Sequence, residues 1–403
     1  MNKSKHFTGQ PIFSQIINLI PKNELTRLSR LHQSDRYCKK FKTYEHLVTM
    51  LYAIMSKCTS IREVTTGLLA CERKLNHLGM SYYPRKSTLS DANGRRDAIV
   101  FEQLYGALYK KYGKSLPDSR SKNWLSKLYI FDATTISLFS EILKCAGRSP
   151  MNGKRKGGIK AHTLMKADED VPCLVRFTAA SASDAPFMKK ISLPKGSIAV
   201  FDKGYVDYTQ YDIWGKQGVS FVTRLRNSAS YQVLKEKTIS ENHSRAGILS
   251  DQIIWLGHQV HDGVTRLRAR RVAFRDPKTG KELEFLTNNM RLSATTVAAI
   301  YKQRWQIELL FKRLKQNYPL QYFLGDNPNA IKIQIWCALI VDLLLKYIRK
   351  QAKRNWSFSN LTGMVRLHLM TYINLVQFLN NPEKSLQLNL SNEDSNSYNL
   401  FPT

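Results

Sequence analysis

"KLYIFDATTISLF", residues 127–139, is the stretch on which the fold turns. It is an apolar run rich in aromatic and β-branched residues, the composition of a buried strand. Yet a carboxylate, Asp132, stands within it, where burial is costly unless something pairs with it. Downstream, "KAHTLMKA" (160–167) and "CLVRFTAA" (173–180) read as two more strands, separated by the charged turn "DED". "SDAPFMKKI" (183–191) reads as a short helix with Ser183 or Asp184 near its start. "SIAVFDKGY" (197–205) is another buried strand, "YTQYDIWGKQG" (208–218) a helix and "VSFVTRLR" (219–226) a strand. Three strands, helix, strand, helix, strand predicts a mixed α/β sheet whose first three strands form a meander.

Upstream, residues 1–112 read as all-helical, from the spacing in "IFSQIINLI", "YEHLVTMLYAIMSK" and "FEQLYGALYKKY". "SIREVTTGLL" opens with a capping box in which Ser60 caps and Glu63 reaches back to it. "STLSDANGRR" (87–96) reads as a short polar helix with Ser87 as N-cap, placed like the second helix of a helix-turn-helix. On that reading Thr88, Asn93, Arg95 and Arg96 reach DNA; the alternative is a helical bundle with a solvated basic edge. Residues 113–126 form a linker by composition, and 127–226 the first part of the α/β core. From 227 to 290, "YQVLKEK", "DQIIWLGHQV", "GVTRLRARRVAF" and "KELEFLTN" alternate apolar and polar, predicting an antiparallel β insertion with one wet face. Arg266, Arg268, Arg270 and Arg271 make it basic. Helices are expected over 291–380, with "IWCALIVDLLLKYI" as a core helix, and 381–403 as a disordered polar tail.

The chain has 403 residues and a formal charge of +31. Such an excess points to a polyanionic partner, because each cation that meets a phosphate releases a condensed counterion. There is no long charge-free apolar run and no signal-peptide pattern, so a membrane span is not expected and a cytoplasmic location is. The six cysteines lack CxxC or Cys-His metal spacing, which predicts reduced thiols.

"YKQRWQIELLFKRLKQ" (301–316) reads as one helix. At about 100° per residue, Tyr301, Arg304, Glu308 and Lys315 share one file, apart from the apolar stripe of Ile300, Ile307, Leu310, Phe311 and Leu314. Alone, this is a solvated face with an Arg304–Glu308 pair. Asp132 ending "LYIFD" and Asp202 ending "IAVFD" change the reading. Each could cap a turn, but two carboxylates at equivalent strand ends, joined by Glu308, can hold two hard divalent ions. Mg²⁺ suits such a site, and in-line displacement at phosphorus is the chemistry it favours. Arg304 and Lys315 would then hold phosphates.

With these residues in view, the chain resembles bacterial insertion-sequence DDE transposases, which have an RNase H-like catalytic domain. It is similar to the subgroup with a Tyr-x2-Arg-x3-Glu-x6-Lys signature, complete here as Tyr301, Arg304, Glu308 and Lys315. "FDATT" and "VFDKGY" match the two Asp motifs. The resemblance implies that Asp132, Asp202 and Glu308 are the catalytic, metal-binding acids, with two Mg²⁺ ions for which Mn²⁺ substitutes. It implies a helical N-terminal DNA-binding domain, cleavage at terminal inverted repeats, transfer of the 3′-OH into target DNA, and a homodimer on paired ends. Some members pass through a hairpin aided by an aromatic of the insertion, for which Trp255, Phe274 and Phe285 are candidates. His162 stands where relatives often have a Lys-x-His pair and is a candidate for contact with DNA or the site. The rival readings are an RNase H-like nuclease that only cuts and a non-enzymatic helix-turn-helix regulator.

Overall fold

The computed structural model describes residues 9–117, 124–137, 158–260 and 263–385. The chain divides into two compact units. One spans residues 117–137 and 157–312; the other joins 1–116 and 138–156 to 313–403.

The unit containing "KLYIFDATTISLF" is built on a nine-stranded sheet. Its strands are β1 (Leu128–Ser137), β2 (Gly158–Lys166), β3 (Val171–Ala179), β4 (Ile198–Val200), β5 (Ser220–Arg224), β6 (Tyr231–Glu236), β7 (Ile248–Val260), β8 (Gly263–Arg275) and β9 (Glu282–Thr287). The order is β3-β2-β1-β4-β5-β9-β8-β7-β6. β1, β2 and β3 form the antiparallel meander, and β4 and β5 run parallel to β1. β9 pairs antiparallel with β5, so the 227–290 segment extends the same sheet. Pattern alone does not reveal this, because pairing across about 60 residues of chain leaves no local mark.

An aromatic cluster fills the sheet's core. Phe131 and Phe201 stack at 4.7 Å between ring centroids, and Tyr205 meets Phe131 edge-on at 5.0 Å. The helix α7 (Tyr208–Lys216), capped by Asp207, adds Tyr211 and Trp214 to this cluster, and a short helix α8 (Glu241–Arg245) precedes β7. "SDAPFMKKI" forms a 3₁₀ turn, Ala185–Lys190, that adds Phe187 and Met188. Of the four insertion arginines, Arg270 is buried on Asp251 and Arg271 is engaged by Gln252 and Glu284, leaving Arg266 and Arg268 exposed.

The other unit is helical among its described residues. It comprises α1 (Ile12–Ile17), α2 (Lys22–Leu31), α3 (Thr43–Met55), α4 (Ile61–Ala70), α5 (Lys86–Arg95), α6 (Ile99–Tyr112), and, near the C-terminus, Pro328–Gln351, Phe358–Leu367 and Leu375–Asn380. The helix Pro328–Gln351 is apolar almost all round, and it packs against α3, α5 and α6. This is why the C-terminal helices join the N-terminal ones instead of forming a separate body. Asp342, the lone carboxylate in that helix, is 1% exposed and accepts from Arg313 at 3.0 and 3.2 Å and from the Tyr318 hydroxyl at 3.3 Å. Among the described residues no helix is long and apolar enough to cross a membrane, and five cysteines are free thiols. The tail beyond 385, Cys145 and much of the linker (118–123) lie outside the described residues.

Two local expectations are corrected. Ser60 caps α4, but Glu63 reaches past it to the Thr59 N–H and hydroxyl, at 2.7 and 3.1 Å. α5 begins at Lys86 after Arg85, so Ser87 lies inside the helix.

Candidate active site

The register of β1 on β4 pairs Leu128 with Ile198 and Ile130 with Val200. Two residues further on, the same offset sets Asp132 and Asp202 at equivalent places, although β1 does not end at Asp132 as its apolar run suggests: it continues to Ser137, whereas Asp202 lies two residues past the end of β4. Side chains alternate along a strand. Phe131 and Phe201 therefore turn together into the core, where they stack, and the two aspartates turn together to the other face. The Thr223 hydroxyl donates to the Phe201 carbonyl at 3.0 Å and fixes the chain just before Asp202.

The third acid comes from a helix pair that sequence periodicity reads as one helix. The structure breaks it. Ala294–Lys302 (α9) ends at Gln303 and Arg304, and Trp305–Asn317 (α10) starts afresh with Glu308 in its first turn. No Gly or Pro marks the break, so spacing alone carries it through. α9 lies against β5, β7, β8 and β9, and the Tyr301 ring packs on Phe285 at 4.9 Å between centroids. From there its hydroxyl donates to Asp202 at 3.4 Å.

Arg304, freed by the break from a helical position, points among the acids. It donates to Glu308 at 2.6 Å and to Asp132 at 3.4 Å. Asp132 also accepts from the Ala133 N–H at 2.8 Å. Burial pushes the Asp132 carboxyl up to about 6; Ala133 and Arg304 oppose the shift, and Asp202 and Glu308 add to it. Burial likewise raises Tyr301 to about 12, with Arg304 opposing and Asp202 reinforcing the rise. Tyr205 is raised by burial and then by Asp132, Asp184 and Asp202. Its buried hydroxyl has no hydrogen-bond partner among the described residues. Sequence reasoning quoted "VFDKGY" for its Asp and passed over this Tyr.

Among the described residues no three His, Cys, Asp or Glu side chains stand close enough to hold a metal ion. A guanidinium bridge stands among these acids, with Arg304 joining Asp132 to Glu308 where the sequence reading assigned it to phosphates.

The remaining predicted residues fall elsewhere. His162 is 1% exposed: Nε2 lies 2.8 Å from the Thr178 hydroxyl and the ring stacks on Phe187, so it sits in the core of this unit. Its neighbour Lys160 donates to Asp184 at 2.9 Å. Asn93 and Arg96 are each 1% exposed. Asn93 bonds His46 and the Leu324 carbonyl, and Arg96 bonds the Phe41 carbonyl, so neither reaches a base edge. Arg95 is exposed and Thr88 half-buried. Lys315, on α10, is exposed and belongs to the helical unit. Of the insertion aromatics, Phe285 is core, whereas Trp255 and Phe274 are half-buried. Trp305, one residue after Arg304, is 57% exposed and was not singled out in the sequence.

A family model described as "Transposase DDE domain" matches residues 123–344. A "Domain of unknown function (DUF4372)" matches residues 8–81. The chain is 31% identical over 264 residues, 65% of its own length and 71% of the relative's, to a Sinorhizobium fredii (strain NBRC 101917 / NGR234) protein named as transposase y4zB. It is 26% identical over 241 residues, 60% of this chain and 61% of the relative, to a Geobacillus stearothermophilus protein named as the transposase of insertion sequence element IS5377. Among solved structures it matches a piggyBac transposase synaptic complex with hairpin DNA, at a TM-score of 0.41 and 11% identity over 97% of this chain and 85% of that one.

Proposed function

This chain belongs to the DDE transposase family, enzymes that act on DNA by cleavage and strand transfer and generally use divalent metal ions, and on that premise we propose that Asp132, Asp202 and Glu308 are its catalytic acids. The observation that supports the assignment is the strand register: the offset that pairs β1 with β4 carries two Asp motifs far apart in sequence to equivalent places, Asp132 within β1 and Asp202 just past β4. Arg304 links the first of them to Glu308. The sheet order β3-β2-β1-β4-β5 supports an RNase H-like core, and Tyr301, Arg304, Glu308 and Lys315 support the Tyr-x2-Arg-x3-Glu-x6-Lys subgroup.

The residues suit a hard divalent cation. Their donors are carboxylate oxygens, and Asp132 binds its proton more tightly chiefly because it is buried, with the other two acids adding to the effect. A guanidinium already balances part of that charge. On this reading Asp132, Asp202 and Glu308 would hold the metal, as two Mg²⁺ ions or Mn²⁺ in their place, once Arg304 lets go of Asp132 and Glu308 and the three acids draw together. Such ions would supply an activated attacking oxygen and a stabilised leaving 3′ oxygen. Tyr301 orients Asp202 by donating to it, and its ring anchors α9 on Phe285. Arg304 exchanges its carboxylate partners for a phosphate of the bound strand, a bidentate exchange suited to guanidinium. Lys315 is the second phosphate contact of the signature, and Arg95 and Thr88 remain as DNA contacts of the helical unit. Terminal inverted repeats and target DNA are the substrates, within the nucleoid. Joining two ends in one event needs two sets of acids, which favours a homodimer.

The test is a supercoiled plasmid carrying the gene with its native flanking DNA, incubated with protein and Mg²⁺. Asp132→Asn should abolish strand cleavage while leaving gel-shift binding nearly intact. Undiminished cleavage, or loss of binding in step with cleavage, would reject the assignment of Asp132.

A further inference from the structure

The helical unit carries a feature that the active site does not use. After α2 the chain runs through "HQSDRYCKKFK", His32 to Lys42, before α3 begins. Arg36, Tyr37, Lys39, Lys40 and Lys42 are all exposed. Tyr37 is 87% exposed, the most solvated of the large hydrophobic side chains among the described residues. Its backbone is left-handed, with φ at 61°, and Gln33 shares that region at 48°. Left-handed backbone is an outlier for a bulky residue, and it persists only where the surroundings over-determine it.

They do so here. Asp35 accepts from the Thr43 N–H, the Thr43 hydroxyl and the Ser29 hydroxyl, at 2.6, 2.7 and 2.6 Å. Arg96, buried beneath the loop, donates to the Phe41 carbonyl and lies 3.6 Å from Asp35. Arg95 donates to the Arg36 carbonyl at 3.2 Å and to the Cys38 sulfur at 3.0 Å. Arg95 and Arg96, two of the residues that sequence reading aimed at DNA, grip the loop that bears the exposed cations. The Arg36 guanidinium lies 4.9 Å from the centre of the Tyr37 ring. Beside the loop opens a concavity of about 890 Å³ lined by Lys22, Arg30, Arg36 and Lys42. Its carboxylates, Asp35 and Glu45, are occupied by the Thr43 and Lys42 backbone N–H groups.

We propose that the loop Gln33–Lys42 with its adjoining concavity is a duplex-DNA docking surface, in which Arg36, Lys39, Lys40 and Lys42 contact backbone phosphates and Tyr37 presses its ring into the groove. This gives a role to part of the segment matched by the domain of unknown function. The partner's identity rests on the transposase reading. The physics is specific to the loop. Cations on a rigid scaffold track phosphates with little ordering cost, and a pre-strained, exposed aromatic flanked by cations is built for contact with bases or sugars.

The experiment uses the full chain and a fluorescein-labelled DNA duplex of mixed sequence, with affinity measured across a salt series. Lys39→Gln/Lys40→Gln/Lys42→Gln should weaken binding and reduce the slope of log K against log salt by about three. Tyr37→Ala should lose roughly tenfold in affinity and Tyr37→Phe should retain it. All four substituted side chains are exposed, so thermal melting should be unchanged. A photo-crosslinker at position 37 should tag the duplex. Parental affinity and slope in the triple variant, or crosslinking at 37 only to protein, would overturn the proposal. Cleavage by Asp132→Asn is read in parallel. Normal DNA binding by the loop variants, with Asp132→Asn inactive, defeats the loop alone. Active Asp132→Asn defeats the catalytic assignment and leaves the loop's binding result standing.

Discussion

Arg304 donates to Glu308 at 2.6 Å, one helical turn away, while its other terminal nitrogen lies 3.4 Å from Asp132. A single guanidinium thus bridges two of the three proposed acids and offsets part of their charge. Removing it leaves carboxylates crowding one another at a partly buried edge. Arg304→Gln should therefore lower the melting temperature without metal, and Mn²⁺ should raise it more in the variant than in the parent. Cleavage should fall all the same, because the phosphate loses its bidentate partner. Differential scanning fluorimetry with and without Mn²⁺ checks the first part. An equal Mn²⁺ response in variant and parent would mean that Arg304 and metal do not compete.

Tyr301 offers a separable contact. Tyr301→Phe keeps the ring on Phe285 and removes only the hydroxyl at Asp202. The melting temperature should stay close to the parent's. Strand cleavage should drop by roughly threefold to tenfold, the worth of about 1 kcal/mol of hydrogen bond. Tyr301→Ala should lose both stability and activity, since packing goes as well. A Phe variant as active as the parent would reduce the hydroxyl to a bystander.

What was legible in the sequence follows from whether its cause is local. Asp132 and Asp202 stood out because a carboxylate after an apolar run violates strand preference at each position separately. The helix over Pro328–Gln351 was legible because its apolar content is its own. The break at Gln303–Arg304 was not, because neighbouring packing imposes it and no breaker residue announces it. Asn93 and Arg96 misled for a related reason. Polar residues on a short helix look solvated until His46 and Phe41, about 50 positions earlier, fold over them. The continuation of β5 into β9 was equally hidden, since the alternating strands suit a separate sheet as well as a shared one.

A buried ion pair steadies the strands behind the site. Arg270, 2% exposed, is held bidentately by Asp251 at 2.7 Å on both nitrogens. Its third nitrogen donates to the Asn289 and Leu292 carbonyls just ahead of α9. Asp251→Ala would leave that guanidinium buried and unpaired, costing about 3–5 kcal/mol. The double variant Asp251→Leu/Arg270→Met should recover most of this in chemical denaturation followed by the sheet's tryptophan fluorescence. Because Arg270 also tethers the start of α9, the double variant should regain stability without regaining full cleavage. Equal recovery of both would make the pair purely structural.

His46 should make the helical unit sensitive to acid. It is fully buried, accepts or donates one bond at 2.8 Å to Asn93, and meets Phe101 edge-on. Burial, then the charge of Arg96, depresses its pKa to about 3, against an ordinary value of 6.5. The folded form therefore refuses a proton that the unfolded chain accepts between about pH 6.5 and 3. Unfolded binding more protons means stability that rises with pH. It is complete above about 6.5 and is lost on acidification at up to about 1.4 kcal/mol per pH unit from this residue alone. His46→Gln retains a partner for Asn93 and cannot titrate. It should be less stable than the parent at pH 7.5 yet show a shallower decline between pH 6 and 4, with helical circular dichroism as the readout. A decline as steep as the parent's would assign the acid sensitivity to other groups.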